Sequence, residues 1–231
     1  MTVEEIKNKL SKKAVEFSTG GFKPASTDKE SWIGRVYLYK RNETIPLDNV
    51  GDLMFPLFQL CLTDLPFIPD ALSKTKVITV FIAKNFPKDL AANGDNWLLR
   101  EYSFETDLLI KDLTNQNSHF KSFPLKPELI ENDYPVWDGG GIPGDIEDEI
   151  IELENSGVIE SYYDIVENHH SHKVGGYPTF CQSGIDFGDN FDFVLQISSD
   201  EKAHLNIVDS GTIFLAKNSK TGEWKFYCDF Y

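Results

Sequence analysis

Basic residues are scarce in this chain of 231 residues, with 22 Lys and Arg against 37 Asp and Glu and a formal net charge of -15. A surface so short of positive charge repels phosphate backbones and anionic headgroups, so nucleic-acid and membrane partners lose ground and a basic protein gains it. Simple solubility is the other reason for such a surface. Cysteine is nearly missing. Cys61, Cys181 and Cys228 are odd in number, far apart and without a C-x-x-C pair, which excludes a disulfide framework and a cysteine zinc site. No long apolar run exists. The longest, residues 53–62, contains Pro56 and Gln59 and falls short of the roughly 20 residues that span a bilayer. The N-terminal stretch is amphipathic and charged, unlike a secretory leader, so a cytoplasmic protein is expected. Neither a G-x-S-x-G nor an H-E-x-x-H word occurs, nor a cofactor fingerprint. No catalytic residue, metal or cofactor is therefore assigned, and the chain leans away from enzymes.

What is present points to a β-dominated fold. Aromatics make up 13% of the chain, with 17 Phe and 9 Tyr, an excess that favours pleated, half-buried surfaces. Val3, Ile6, Leu10, Ala14 and Phe17 recur at helical spacing behind a Thr2-x-x-Glu5 capping box, predicting a helix over 3–17 stopped by Gly20-Gly21. Strand-like runs follow at 35–39, 53–62, 76–83 and 97–104. The segment 127–172 differs, with 13 Asp and Glu and no Lys or Arg. Ile146, Ile150 and Leu153 share one helical face there, with Asp145 as N-cap and Gly157 as the stop, and Tyr162, Ile165 and Val166 suggest a second short helix. Strands return from Lys173 to the end.

Four blocks occur twice in the same order: SWIGRVYL, MFPLFQLCL, VITVFIAKN and NWLLREYSF, then SHKVGGYP, FDFVLQISS, SGTIFLAKN and GEWKFYCDFY. Gly34 matches Gly175, Gln59 matches Gln196, Lys84 matches Lys217 and Trp97 matches Trp224. The expectation is one pseudo-symmetric domain over 1–231: an N-terminal helix 3–17, a first repeat at about 31–104, an acidic helical insertion at about 105–171 and a second repeat at about 172–231. About four strands per copy are too few to bury an apolar face alone, so the copies should pack on each other. The fold class expected is α+β, with antiparallel sheets from an internal duplication.

The words His172-Lys173-Val174-Gly175-Gly176-Tyr177-Pro178 with Gln182, and Leu195-Gln196-Ile197-Ser198-Ser199-Asp200-Glu201 with Asp209-Ser210-Gly211, resemble the YwqG-like family of bacterial proteins. Ser31-Trp32-Ile33-Gly34 and the run 54–62 with Asp64-Leu65-Pro66 look like its first pair of blocks. The resemblance covers about 31–231 and implies an α+β fold with a duplication, but no activity. The family's first copy usually carries a Gly-Gly-x-Pro turn, where this chain has Gly34-Arg35-Val36-Tyr37.

Several residue sets invite a chemical reading. His169-His170-x-His172 has metal-binding atoms without a completing partner, and a surface loop is the commoner role. Gly139-Gly140-Gly141-Ile142-Pro143-Gly144-Asp145 precedes a helix but lacks the Lys and Ser/Thr of a phosphate loop. Cys181 near His172 suggests a Cys-His pair, but a buried or half-buried strand cysteine is the commoner outcome. Lys173, Gln182, Gln196, Asp200 and Asp209 are the candidate ligand-binding set. They form either a small polar pocket or a group of turn and strand hydrogen bonds. Two functions compete. One is a non-catalytic acidic protein, immunity-type or antitoxin-like, that covers a basic partner. The other is a small-molecule binder or enzyme built around Gln196, Asp200 and Asp209.

Overall fold

A computed structural model describes residues 1–25 and 27–231. Helix α1 spans only Val3–Leu10, with Thr2 and Glu5 forming the expected capping box. The chain then turns at Ser11 and runs as strand β1, Lys12–Thr19. Ala14 and Phe17 fit a helical stripe, yet Ala14, Val15, Phe17 and Thr19 are all buried in a strand. Tertiary pairing decided the conformation here: β1 has hydrogen-bonded neighbours on both sides.

The remaining strands are β2 (Ser31–Ile33), β3 (Leu38–Tyr39), β4 (Phe55–Cys61), β5 (Thr75–Ile82), β6 (Trp97–Ser103), β7 (Leu109–Ile110), β8 (Phe123–Asp133), β9 (His172–Gly175), β10 (Phe191–Ser198), β11 (Thr212–Asn218) and β12 (Trp224–Asp229). Helix α2 covers Gly144–Asn155. Ten strands form one antiparallel sheet in the order β12-β11-β10-β9-β1-β8-β2-β4-β5-β6, and β3 pairs with β7 beside it. The sheet curls into a nearly closed barrel. Its two edges meet where Glu101 of β6 pairs with Lys217 of β11 at 2.7 Å and accepts from the Trp224 indole of β12 at 3.1 Å. An isolated bridge from Ala92 to Lys225 adds to the seam.

The α+β expectation with an acidic helical insertion is thereby overturned. The two helices are short, and the structure is dominated by the sheet. The supposed insertion contributes β8, which lies at the middle of the sheet between β1 and β2. The acidic residues misled because they stand at exposed positions of β8, which leaves Lys126, Pro127, Glu128, Glu131 and Asn132 open while burying Leu125, Ile130 and Asp133.

The strand order reads alike from either edge: four strands, the central pair β1 and β8, then four more. Finer details recur across that centre. Gln59 of β4 faces Trp32 of β2 as Gln196 of β10 faces Lys173 of β9. A bulge leaves Leu57 unpaired in β4 and Val194 in β10. Gly34 directly follows β2 and Gly175 ends β9, with φ of 69° and 77°, and a Cβ on either would press on a backbone oxygen, that of Lys121 or Lys13. One sequence match does not follow this frame. Trp97 faces Ile82 and Trp224 faces Lys217, so Lys217 takes the place of Ile82 and not that of Lys84, two residues beyond.

The barrel interior is filled. Phe17, Phe58, Leu60, Ile78, Val80, Trp97, Val174, Leu195, Ile197, Ile213, Leu215 and Phe226 form one cluster drawn from both flanks. A second layer lies outside, where Ile6 and Leu10 of α1 meet Ile146 and Ile150 of α2 with Tyr134, Ile159 and Tyr162. Among the described residues no helix is long and apolar enough to cross a membrane.

Candidate functional site

Alternation along β9 separates its neighbours. His172 and Val174 face the barrel interior, where the His172 ring lies 5.9 Å from that of Phe58. Lys173 points the other way. Its side chain is fully buried, as is that of Asp133 at the end of β8, and Nζ lies 3.1 and 2.9 Å from the two carboxylate oxygens. The backbone N–H of Tyr177 donates to Asp133 Oδ2 at 2.7 Å. Burial pulls the Lys173 amine below its ordinary value, with the Asp133 carboxylate working against that. Burial also pushes the Tyr177 phenol up to about 12. Lys12 stands 3.9 Å over the Tyr177 ring and covers the outer side.

Gln196 is next to Lys173 across the strands and is buried. Its Oε1 accepts from the Thr179 N–H at 3.2 Å, and its Nε2 donates to the carbonyls of Ser171 at 2.8 Å and His169 at 3.3 Å. Gln59 does the same work on the other flank. It accepts from Tyr37 and Leu38 N–H at 3.1 and 3.0 Å and donates to Glu30 O at 3.1 Å. Both glutamines bind a crossing loop to the sheet, and their amide groups are used in doing so.

Asp200 sits at the barrel rim in a cleft of about 460 Å³ lined also by Thr19, His172, Ser198, Ser199 and Lys202. Its oxygens accept from Thr19 Oγ1 at 2.5 Å and Ala203 N at 2.8 Å, and His172 Nε2 approaches to 3.4 Å. Burial acts to raise this carboxyl, but hydrogen bonds from His172, Thr19 and Ala203 overcome it and hold Asp200 well below the usual carboxylate range. His172 Nδ1 accepts from the Ser198 N–H at 3.1 Å, so Nε2 carries the proton toward Asp200. Both ring nitrogens are engaged, leaving neither to act as a general base. Ser198 and Ser199 donate to the carbonyls of His170 and Gly211.

The remaining candidates lie elsewhere. Gln182 donates to Phe230 O at 2.7 Å on the surface, and Asp209 is exposed in a turn. The five residues thus separate into a buried outer couple, a rim carboxylate and two surface positions. Cys181 is half-buried, and burial followed by the nearby Asp229 raises its thiol. Among the described residues, no group of three or more His, Cys, Asp and Glu is placed to hold a metal ion. Asp133, Thr19 and Asp229, whose Oδ2 accepts from Cys181 and Gln182 N–H, were not foreseen. Their partners are distant in sequence, and no local word marks them.

Helix α2 has one buried face and one charged, exposed face. Ile146 and Ile150 are buried, while Asp145, Glu147, Asp148, Ile151 and Glu152 are exposed. Pro143, not Asp145, is the N-cap, and no side chain caps that end. Glu154 accepts from Tyr162 N at 2.8 Å and Glu149 pairs with the amino terminus, so these two have structural partners. Ile151 of α2 is exposed, as are Val158 and Tyr163 in the segment that follows it. No family model matches the chain, and no curated protein matches it.

Proposed function

We propose that this protein is a non-catalytic acidic interaction protein that covers a basic protein partner, in the manner of an immunity protein, and that α2 is its docking face. The carrying observation is where the charge stands. Asp145, Glu147, Asp148 and Glu152 are exposed in a segment, 127–172, with no Lys or Arg. Asp145 with Asp148, and Asp148 with Glu152, are like charges one turn apart, each such pair costing about 0.2–0.5 kcal/mol. Glu152 also opposes the helix dipole, and the last turn has no basic residue. A cationic partner relieves all of these at once and is steered in by them. Exposed Ile151, Val158 and Tyr163 supply the apolar contact that charge alone lacks.

The small-molecule reading is weaker because the polar groups it needs are occupied. Gln196 and Asp200 spend their hydrogen bonds within the chain, and Asp209 lies apart from both. A YwqG-like ancestry and descent by duplication belong to the same reading. The first rests on the motif words, the second on the recurring strand order and on the paired roles of Gln59 and Gln196.

Two baits in a low-salt extract of the native cell provide the test: the natural chain, and one carrying Asp148→Lys, Ile151→Lys and Glu152→Lys. The expected catch is a basic protein that the natural bait retains, the altered bait loses and added salt releases. Equal retention by both baits sinks the assignment of α2.

A further inference from the structure

We propose that Lys173 and Asp133 condense to an internal amide, joining Lys173 Nζ to Asp133 Cγ with loss of one water. The inference is independent of the partner and of the α2 face. The reactants already touch: Nζ is within 3.1 Å of both carboxylate oxygens, and both side chains have no exposure to solvent. Contact of this kind removes the entropic cost of bringing an amine and a carboxyl group together.

The surroundings favour the product. Two full charges withdrawn from water are costly even when paired, and an amide removes both. Burial lowers the proton affinity of Lys173, so the neutral amine that must attack is closer in energy than on a surface lysine. The aromatic rings of Tyr162 and Tyr177 lie near Asp133 and keep the site dry.

Atoms and charges balance within the pair. One proton passes from the ammonium to Oδ1, giving an amine and a carboxylic acid. The nitrogen lone pair forms the new bond to Cγ, and the carbonyl electrons move onto Oδ2. The Tyr177 N–H, 2.7 Å from Oδ2, donates to the charge that develops there. As the double bond re-forms, Oδ1 leaves as water with its own proton and a second taken from nitrogen. One N–H remains on the amide, and Oδ2 becomes its carbonyl oxygen. Glu16, directly across from Lys173 on β1 and 3.5 Å from the His169 ring nitrogen, is the further carboxylate whose charge acts on Lys173 and that can assist the second proton transfer.

The product joins β8 to β9. These strands flank β1, one on each side, so the bond would clamp the central strand of the barrel.

The test is the intact mass of the full-length protein under denaturing conditions, followed by peptide mapping. The expected mass is one water below that of the sequence, with a branched peptide containing Asp133 and Lys173. Asp133→Asn should lose ammonia in place of water, and Asp133→Ala should show the full mass. Glu16→Gln, a near-isosteric change at a partly exposed position, should lower the linked fraction in freshly made protein. A full sequence mass with both peptides free would show an ion pair only and overturn the proposal. So would a missing water that persists in Asp133→Ala.

Discussion

At the scale of single residues, Asp200 carries the clearest pH signature. Its carboxylate is held by Thr19, Ala203 and His172, which together depress its pKa below the unfolded value. A depressed carboxylate adds stability that is complete above the unfolded value, about 3.9. That stability drains away as the pH falls toward the folded value. Urea unfolding from pH 6 to 2.5 should therefore show a steeper acid loss in the natural chain than in Asp200→Asn. At neutral pH the variant should be weaker by about 1.5–3 kcal/mol, the usual size for hydrogen bonds to a charged group. Parallel acid profiles for the two proteins would mean that Asp200 is not the group that titrates. Of the five residues singled out from sequence, Gln196 was legible as a buried polar position only in hindsight, and Lys173 was not legible as one. Gln196 stands in an apolar run, where a polar residue must have a partner, while Lys173 follows His169-His170-Ser171-His172, a polar stretch with no such signal. Sequence could not supply the partners, because Asp133, Thr179 and Thr19 lie on other elements.

Among elements, legibility followed how local the cause was. The capping box at Thr2 and Glu5, the buried face of α2 and the strands around Gln59, Trp97, Gln196 and Trp224 are set by nearby residues and were readable. β1 and β8 were not. One mimics a helical stripe and the other carries acidic residues on its exposed face, and both are fixed by pairing across more than a hundred residues. The seam is equally non-local. Glu101 joins Lys217, the Trp224 indole and the Thr75 hydroxyl, linking β6 to β11 and β12 without a ladder between the edges. Glu101→Ala removes all three at once and leaves a partly buried lysine without its counter-charge. A loss of about 1–3 kcal/mol is expected, the size for leaving partly buried polar partners unmet, since Lys217 keeps the Ala71 carbonyl. Hydrogen exchange should rise first in β6 and β12, the strands at the opened seam. Uniform acceleration across the sheet would instead mean that the edges are held by the interior cluster alone.

For the whole molecule, the sheet order makes a stronger demand than the packing of two halves side by side. β1 belongs to the first half of the chain, but its only neighbours in the sheet are β8 and β9, both in the second. β8 belongs to the second half, and its neighbours are β1 and β2, both in the first. Each half lends its leading strand to the other, and the interior cluster fills from both. A half alone would expose the unpaired edges of its leading strand and part of its apolar face. The connection between β7 and β8 passes through an exposed turn at Gln116 and Asn117, a place where the chain can be opened with little loss of contact. Fragments 1–116 and 117–231 should each fail to give a cooperative monomer. Mixed, they should form a one-to-one complex with the sheet signature of the intact chain and a melting temperature that rises with concentration. A cooperative, monomeric transition from either fragment alone would mean that the exchanged strands are dispensable. The barrel would then be two sheets in contact, with β1 and β8 filling a gap between them.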